Sequence, residues 1–320
     1  MNEVQLIEKY LKKLTKKNKS SQGLNDDIFF DKSKRLAISI DTYVEKVHFP
    51  NFKTPDLVIK KVLRSSLSDL ICKGVKPKYY FLSASGNTKS FSQKNLKMIS
   101  NSLSSEQKKF DIQLSGGDTV YSNTNSFTCC VIGFSNKIIK RHNSKIGDDI
   151  YITGNLGDGY LGLQVLKKKI SLSNSLKKYF ISKFYMPSIN LKMVDFLQKF
   201  ANTSIDISDG LLIDLNKMIS QQKNGFSINL NHMKISNQLK KFLSKNKRLN
   251  IENIIFNGDD YEVIFTSYKK NRSLIKRYAK NKNLIIQRIG SILKKNQESC
   301  ILKGNNKLKI NKNLGYTHQF

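Results

Sequence analysis

The chain has 320 residues, 39% of them hydrophobic and 10% aromatic, a composition typical of globular rather than disordered proteins. It carries 56 Lys+Arg against 24 Asp+Glu, a formal net charge of +32. Its length is sufficient for two domains that each bury a core. The longest apolar run, FTCCVIGF at 127–134, is too short to cross a bilayer, so we expect no membrane span.

The basic charge invites a nucleic-acid hypothesis, but its distribution argues against one. Nearly all of the positive charge is lysine and is spread along the whole chain, whereas nucleic-acid readers favour the bidentate fork of arginine. Zinc-finger, helix-turn-helix and RNP patterns are missing from the sequence. The sequence therefore predicts no specific nucleic-acid partner.

The cysteines indicate whether the protein occupies a reducing or an oxidising compartment. Cys72, Cys129, Cys130 and Cys300 show neither disulfide nor metal-ligand spacing. The N-terminus lacks an apolar signal core. We therefore expect a cytoplasmic protein with reduced thiols. Cys129 and Cys130 are adjacent in a predicted strand and should face opposite sides of its sheet.

The first half of the chain alternates predicted helices and strands. An apolar stripe predicts an amphipathic helix over Val4–Leu14, and Thr54 with Pro55 starts a helix that runs to residue 74. A polar helix follows at 92–109. The predicted strands are RLAISID (35–41), YYFLSAS (79–85), FDIQLSGGD (110–118), FTCCVIGF (127–134) and DDIYITG (148–154).

The second half repeats this alternation. The predicted helices are 159–168, 189–200, 209–222, 235–245 and 274–282, and the predicted strands are 204–208, 226–231, 261–267, 285–292 and KLKI at 307–310. The basic stretch 136–147 is the best candidate for the connection between two domains. We therefore predict an α/β (α+β) protein with two domains, 1–138 and 139–320, and mixed sheets flanked by helices.

Acidic residues are scarce, and many stand in five similar places. Asp41 ends LAISID, Asp69 ends RSSLSD and Asp118 ends IQLSGGD. Another pair lies in TSIDISDG (203–210) and a last pair in GDDYE (258–262). Any single Asp of this kind is more often a turn residue or a helix cap. Their grouping in so basic a chain predicts that they share a cation.

Known nucleotide motifs do not account for this pattern. The sequence contains no P-loop and no kinase Gly-rich loop. GNLGDGYLG (154–162) follows a predicted strand but lacks dinucleotide-binding spacing, so we interpret it as a tight strand-to-helix turn. Nucleotide would have to be held by another arrangement.

Five motifs in order carry a resemblance. NDD (25–27), SIDT (39–42) with a following His-Phe, LSGGDT (114–119), SIDISDGLLIDL (204–215) and GDDYE (258–262) resemble those of the thiamine-monophosphate kinase family. That family belongs to the superfamily of aminoimidazole-ribonucleotide synthetase and selenophosphate synthetase. The resemblance covers nearly the whole chain, up to the terminal GYTHQF.

The resemblance implies ATP-dependent phosphorylation of thiamine monophosphate to thiamine diphosphate, with ATP as co-substrate and several Mg²⁺ ions. It implies an aminoimidazole-ribonucleotide-synthetase-like architecture and a homodimer formed through the N-terminal domain. It also implies site residues by motif match. The metal positions are Asp27, Ser39, Ile40, Asp41, Asp69, Asp118, Asp206 and Asp209; the ATP positions are Gly117, Asp118, Arg141 and Ser208; the substrate positions are His48, Asp259 and Tyr316.

Two of these positions depart from the family pattern. Ile40 replaces the usual Thr, so only its backbone carbonyl could serve a metal. Asp259 replaces the usual Glu and is one methylene shorter. The stretch Met186–Asn190 has also lost the arginines that are usual there.

The chemistry requires no side-chain base, because the attacking phosphate oxygen is already ionised. Alignment and charge neutralisation by Mg²⁺ then carry catalysis, and we expect direct in-line transfer without a phosphoenzyme. Two alternatives stay open. One is another ATP-dependent enzyme of the same superfamily, with selenophosphate synthetase disfavoured because no N-terminal catalytic Cys is present. The other is a non-catalytic basic nucleic-acid-binding protein.

Overall fold

A computed structural model describes residues 1–246, 249–304, 306–308 and 315–318. It shows a mixed α/β protein with two mixed sheets flanked by helices, which confirms the expected fold class. The α-helices are α1 (Glu3–Leu6), α2 (Pro55–Cys72), α3 (Gln93–Phe110), α4 (Asp158–Leu166), α5 (Asn174–Tyr185), α6 (Lys192–Phe200), α7 (Leu211–Ile219), α8 (Asn237–Lys245), α9 (Glu252–Ile255) and α10 (Arg272–Lys282).

The strands divide between the two halves of the chain. The first sheet contains β1 (Phe29–Asp31), β2 (Leu36–Val44), β3 (Lys76–Gly86), β4 (Gln113–Gly116), β5 (Thr119–Tyr121) and β6 (Ser126–Phe134). The second contains β7 (Asp149–Thr153), β8 (Thr203–Asp206), β9 (Asn224–Asn229), β10 (Val263–Ser267), β11 (Ile286–Lys295), β12 (Cys300–Lys303) and β13 (Asn306–Leu308).

The first sheet has the order β1-β2-β6-β3-β4, and β5 also pairs with β3. Its central strands are antiparallel, while β4 and β5 run parallel to β3. Burial alternates along β6: Phe127, Cys129 and Val131 face the core under α2, and Cys130 faces the other side. The expected opposition of Cys129 and Cys130 is therefore confirmed, as a direct result of the two-residue strand repeat.

The outer face of this sheet stays open to solvent. Its strands present large apolar side chains that are between 38% and 66% exposed: Ile40, Phe81, Val120 and Phe134. A continuous apolar face of this kind on a folded protein typically marks an interaction surface.

The second sheet has the order β13-β12-β9-β11-β7-β10-β8. Helix α2 packs under the first sheet and also touches β8 at the edge of the second, so it lies between the two halves. One core cluster accordingly includes Leu63 and Val131 from the first half together with Phe184, Phe196 and Phe265 from the second. Residues at the end of α2 are thereby held against the end of β8.

The N-terminal prediction is wrong in part. The amphipathic helix expected over Val4–Leu14 is broken into the one-turn α1, a π-turn over Ile7–Leu11 and a 3-10 turn over Lys12–Thr15. Leu14 is 75% exposed and Val4 51%, so the apolar stripe buries too little surface to hold a regular helix.

Several elements were not predicted: α5, α9, β1, β5 and β12. Of the predicted strand KLKI (307–310), residues 307–308 belong to β13 and the rest lies outside the described residues. Within the described part of the chain, no helix combines the length and apolar character that crossing a bilayer requires.

A buried ion pair joins the two long helices of the first half. The Arg64 guanidinium of α2 donates from Nε and Nη2 to both carboxylate oxygens of Glu106 in α3, at 2.7 and 2.8 Å. Its Nη1 donates to the carbonyl of Pro187, in the second half of the chain, at 3.2 Å. Both side chains are less than 10% exposed.

Glu106→Gln keeps the side-chain shape but leaves the Arg64 charge buried without its partner. We expect the free energy of unfolding, measured by urea denaturation, to fall by about 3 kcal/mol, as for other broken buried pairs. Asp111→Asn is the matched control, because the Asp111–Lys76 pair is more than half exposed and should matter little. Equal decreases in the free energy of unfolding in the two variants would show that burial does not determine how much the Arg64–Glu106 pair stabilises the fold.

Candidate active site

A cleft of about 630 Å³ is lined by residues from both halves of the chain. Its walls come from β2, α2, the end of β8 and the segment 257–261, and residues near both chain ends contribute to its rim. Ten of the residues singled out from the sequence line it: Asp27, Asp41, His48, Asp69, Arg141, Asp206, Ser208, Asp209, Asp259 and Tyr316.

Three carboxylates meet at the centre of the cleft. β2 supplies Asp41, the last turns of α2 supply Asp69, and the end of β8 supplies Asp206. Ser39 donates its hydroxyl to Asp69, and Ser68 donates to Asp206. Each acid therefore comes from a different element, and two of them are oriented by a neighbouring serine.

These carboxylates are electrostatically unfavourable as they stand. Burial raises the pKa of Asp69 well above its usual value, and the charges of Asp41 and Asp206 raise it further. Burial also raises the pKa of Asp41 and of Asp206. Since the ionised form is disfavoured by desolvation and by like charge, a bound cation would relieve both effects.

A second acidic group lies beside the first and is already neutralised. The Lys73 ammonium is fully buried and contacts Asp26 at 2.7 Å and Asp27 at 2.9 Å. Arg141 pairs with both oxygens of Asp27 through Nη2 and Nε. Lys73 also donates to the Ser204 carbonyl at 2.7 Å, which ties the loop before β1 to β8.

The loop after β8 forms a third acidic group. Asp209 pairs with the Lys217 ammonium of α7. Asp214 accepts the backbone N–H of Asp209 and Gly210, at 3.0 and 2.9 Å, so it caps the turn that starts α7. Asp214 is therefore a structural residue of this turn, and it is fully buried.

The donor set suits Mg²⁺, although the side chains do not form a ready-made metal cage. Across residues 1–246, 249–304, 306–308 and 315–318, no three His, Cys, Asp or Glu side chains are arranged to hold an ion. The carboxylates instead bind serines, lysines and an arginine. Mg²⁺ usually takes only one or two protein carboxylates, together with water and substrate phosphates, so separate acids around a cleft fit it.

The same cleft carries the residues expected to face the acceptor substrate. His48 accepts the Val44 backbone N–H at Nδ1 at 3.0 Å, and its ring lies 5.4 Å from that of His318. Burial, and then the neighbouring His318 and Lys61, lower the pKa of His48. Tyr316 donates its backbone N–H to the Asp209 carbonyl at 3.0 Å, which brings the C-terminal segment to the rim.

Four residues singled out from the sequence lie outside the cleft lining. Ser39 is buried behind it, and the Ile40 side chain points to the outer face with 66% exposure. Gly117 and Asp118 are exposed at the edge of the first sheet between β4 and β5. A Cβ at Gly117 would lie 1.9 Å from the Leu82 carbonyl oxygen, so this close strand approach requires glycine.

Sequence reasoning missed several functional-site neighbours. Lys61, Lys73 and Lys217 pair with the site carboxylates, and Tyr261 and His318 line the cleft. In so lysine-rich a chain, no local signal separates a buried lysine from a surface one; only the placement of Tyr261 within GDDYE could have suggested its role.

Comparison with known proteins identifies the class and then the family. The family model described as AIR synthase related protein, N-terminal domain, matches residues 25–135 of this chain. A structure described as AaThiL complexed with AMPPCP and TMP has the same fold, with a TM-score of 0.84, 24% identity and coverage of 99% of this chain and 97% of its own. A crystal structure of thiamine monophosphate kinase from Aquifex aeolicus matches with a TM-score of 0.79 and 25% identity, over 94% and 98% of the two chains.

The curated thiamine-monophosphate kinase of Buchnera aphidicola from Schizaphis graminum is 36% identical, over 99% of this chain and 98% of its own length. The chain belongs to the thiamine-monophosphate kinase family and is an enzyme of the phosphotransferase class. The resemblance inferred from the five motifs is thereby confirmed.

Asp69→Asn tests the electrostatic description of the cleft. We expect the variant without added metal to melt about 3 °C above wild type, the shift that ~1 kcal/mol of relieved repulsion produces in a domain of this size. MgCl₂ should raise the melting temperature of wild type but not of the variant, because only wild type keeps the full ligand set. Asp195→Asn, on the exposed face of α6, is the control and should behave as wild type. A variant that melts lower and still responds to Mg²⁺ would contradict the description.

Proposed function

We propose that this enzyme transfers the γ-phosphoryl group of ATP to thiamine monophosphate in a direct in-line reaction assisted by several Mg²⁺ ions. Membership in the thiamine-monophosphate kinase family supports the substrates. The observation that carries the metal dependence is the meeting of Asp41, Asp69 and Asp206 in one buried centre, where each carboxyl pKa is raised.

In this proposal Asp27, Asp41, Asp69, Asp206 and Asp209 hold the metal ions, with Ser39 orienting Asp69 and the Ile40 carbonyl as a further ligand. Bound Mg²⁺ supplies neutralisation of the phosphate oxygens that must approach one another. The side chains themselves hold no proton-transfer role, since the acceptor oxygen is already ionised. The protein contributes the alignment of the two substrates.

Nucleotide contacts fall to Arg141 and Ser208 within the cleft. Arg141 already faces an acidic neighbour, Asp27, and its guanidinium suits bidentate phosphate binding. Once a cation neutralises Asp27, the guanidinium is available to phosphate oxygens. Ser208 lies beside Asp206 at the end of β8, and its carbonyl fixes the segment that carries Asp259.

His48, Asp259 and Tyr316 would face the thiamine end of the acceptor. A neutral His48 ring suits an organic ring system better than a phosphate, and the lowered pKa favours that neutral form near pH 7. Asp259 offers a carboxylate and Tyr316, which is 45% exposed, offers an aromatic ring at the rim.

We also propose that the protein is a homodimer formed through the outer face of the first sheet. The apolar side chains of that face, Ile40, Phe81 and Val120 among them, are of the kind that a second copy would cover. Gly117 and Asp118 lie at the same sheet, outside the cleft of their own chain. Their proposed roles in binding ATP and metal therefore belong to a site that the partner completes.

The division into domains 1–138 and 139–320 is part of the proposal, as is a cytoplasmic location. The two sheets occupy residues 29–134 and 149–308, on either side of the proposed boundary. All four cysteines are free thiols, as a reducing compartment favours.

Incubation of the purified enzyme with Mg-ATP and thiamine monophosphate tests the proposal directly. We expect thiamine diphosphate to form, and Asp41→Asn and Asp118→Asn each to lower kcat by about 10²- to 10³-fold, as for other losses of preorganised electrostatic groups. Both variants should stay folded by circular dichroism, and Asp195→Asn should keep the wild-type rate.

Three outcomes would count against parts of the proposal. If wild type binds ATP but forms no thiamine diphosphate, the substrate is wrong and another reaction of the superfamily applies. If Asp118→Asn keeps a near-normal rate, its place in the site is wrong. Tight nucleic-acid binding that weakens with salt but ignores Mg²⁺ would favour the binding-protein alternative.

A further inference from the structure

A charged lysine is buried beside Asp259, one of the cleft residues proposed to face thiamine monophosphate. Lys61 lies in the middle of α2, and its side chain is only 1% exposed. Its Nζ contacts Asp259 Oδ1 at 2.6 Å, and it also donates to the Phe184 carbonyl at 3.4 Å. A buried ammonium is costly unless it is paired, so Lys61 depends on these contacts.

Aromatic rings complete the surroundings of this ammonium. Nζ lies 4.0 Å from the centroid of the Phe184 ring and 4.9 Å from that of Tyr261. Both distances are within the range of cation–π attraction. Tyr261 and Asp259 each line the cleft, so Lys61 lies behind the cleft wall and contacts two of the residues that form it.

The backbone of Asp259 is also held in an unusual conformation. Its φ of +70° is rare for a residue other than glycine. The Asp259 N–H donates to the Ser208 carbonyl at 2.9 Å, and a Cβ on Gly159 would lie 2.1 Å from the Asp259 carbonyl oxygen. With the backbone fixed and Oδ1 bound by Lys61, the carboxylate has one orientation, and 22% of its side chain stays exposed.

We propose that Lys61 is a positioning residue that sets specificity for the thiamine end of the acceptor. It fixes the orientation of the Asp259 carboxylate, so that the organic end of the acceptor meets an oriented carboxylate rather than a mobile one. This orientation matters more here because Asp259 has a shorter reach than glutamate. The proposal rests on the proposed function.

Lys61→Met tests this role, because Met matches the length of the lysine stem and suits the aromatic surroundings. We expect the KM for thiamine monophosphate to rise about tenfold, the size of coupling typical of contacting residues, while the KM for ATP stays within about twofold. Calorimetric titration with thiamine monophosphate in the absence of ATP should show the same loss of affinity. A purely structural lysine would not separate the two substrates in this way.

A double-mutant cycle supplies the control. Once Asp259→Asn has removed the charged partner, adding Lys61→Met should change the KM for thiamine monophosphate by less than about twofold. Full additivity of the two changes would overturn the proposal. So would an unchanged KM for thiamine monophosphate in Lys61→Met, or an equal rise for both substrates.

If the Met variant fails to fold, Lys61→Arg tests the positioning role of Lys61 instead. It retains the buried charge, but its wider guanidinium must displace the Asp259 carboxylate, so the KM for thiamine monophosphate should rise by a smaller factor, about threefold. A wild-type KM in this variant would overturn the proposal. Failure of the proposed function would appear differently, as a wild-type enzyme that neither binds nor phosphorylates thiamine monophosphate.

Discussion

The packing of α2 between the two sheets brings three carboxylates of like charge together in one cleft. Asp41, Asp69 and Asp206 come from three elements that pack together only because α2 lies between the two sheets. Packing removes water from the acids and raises their pKa values. The hydrophobic core therefore supplies the free energy that keeps like charges close, and a bound cation, as proposed, would relieve their repulsion.

Fixed cations surround this centre without entering it. Lys73 and Arg141 neutralise the Asp26 and Asp27 side, and Lys217 neutralises Asp209. Lys61 does the same for Asp259. Within the described residues, paired lysines and one arginine thus leave the three central carboxylates of the cleft, Asp41, Asp69 and Asp206, without a cationic side chain in contact.

Local patterns were sufficient to predict many of the regular elements, but not all of them. The two-residue alternation in FTCCVIGF predicts β6 with its buried face, and Thr54 with Pro55 predicts the start of α2. The N-terminal helix shows the limit of such patterns. Its apolar stripe has the correct spacing, but Val4 and Leu14 have too little surface to pack against, and regularity is lost. Helix formation there depends on tertiary contacts that periodicity does not contain.

The same limit applies to the site. Its carboxylates could be found because acids are rare in this chain and occur in ordered motifs. Lys61 could not, because its partner Asp259 is 198 residues away and lysine is common. Nor could the sequence predict that Gly117 and Asp118 would lie at a sheet edge outside the cleft, since the path of β4 and β5 beside β3 is set by long-range pairing.

The most direct measurement is anomalous scattering from crystals grown with Mn²⁺, as a replacement for Mg²⁺, and AMPPCP. We predict metal peaks within coordination distance of Asp41, Asp69 and Asp206, and the loss of the peak at Asp69 in the Asp69→Asn variant. Crystals that contain bound nucleotide but no metal at these three carboxylates would contradict the claim that their repulsion defines a cation centre.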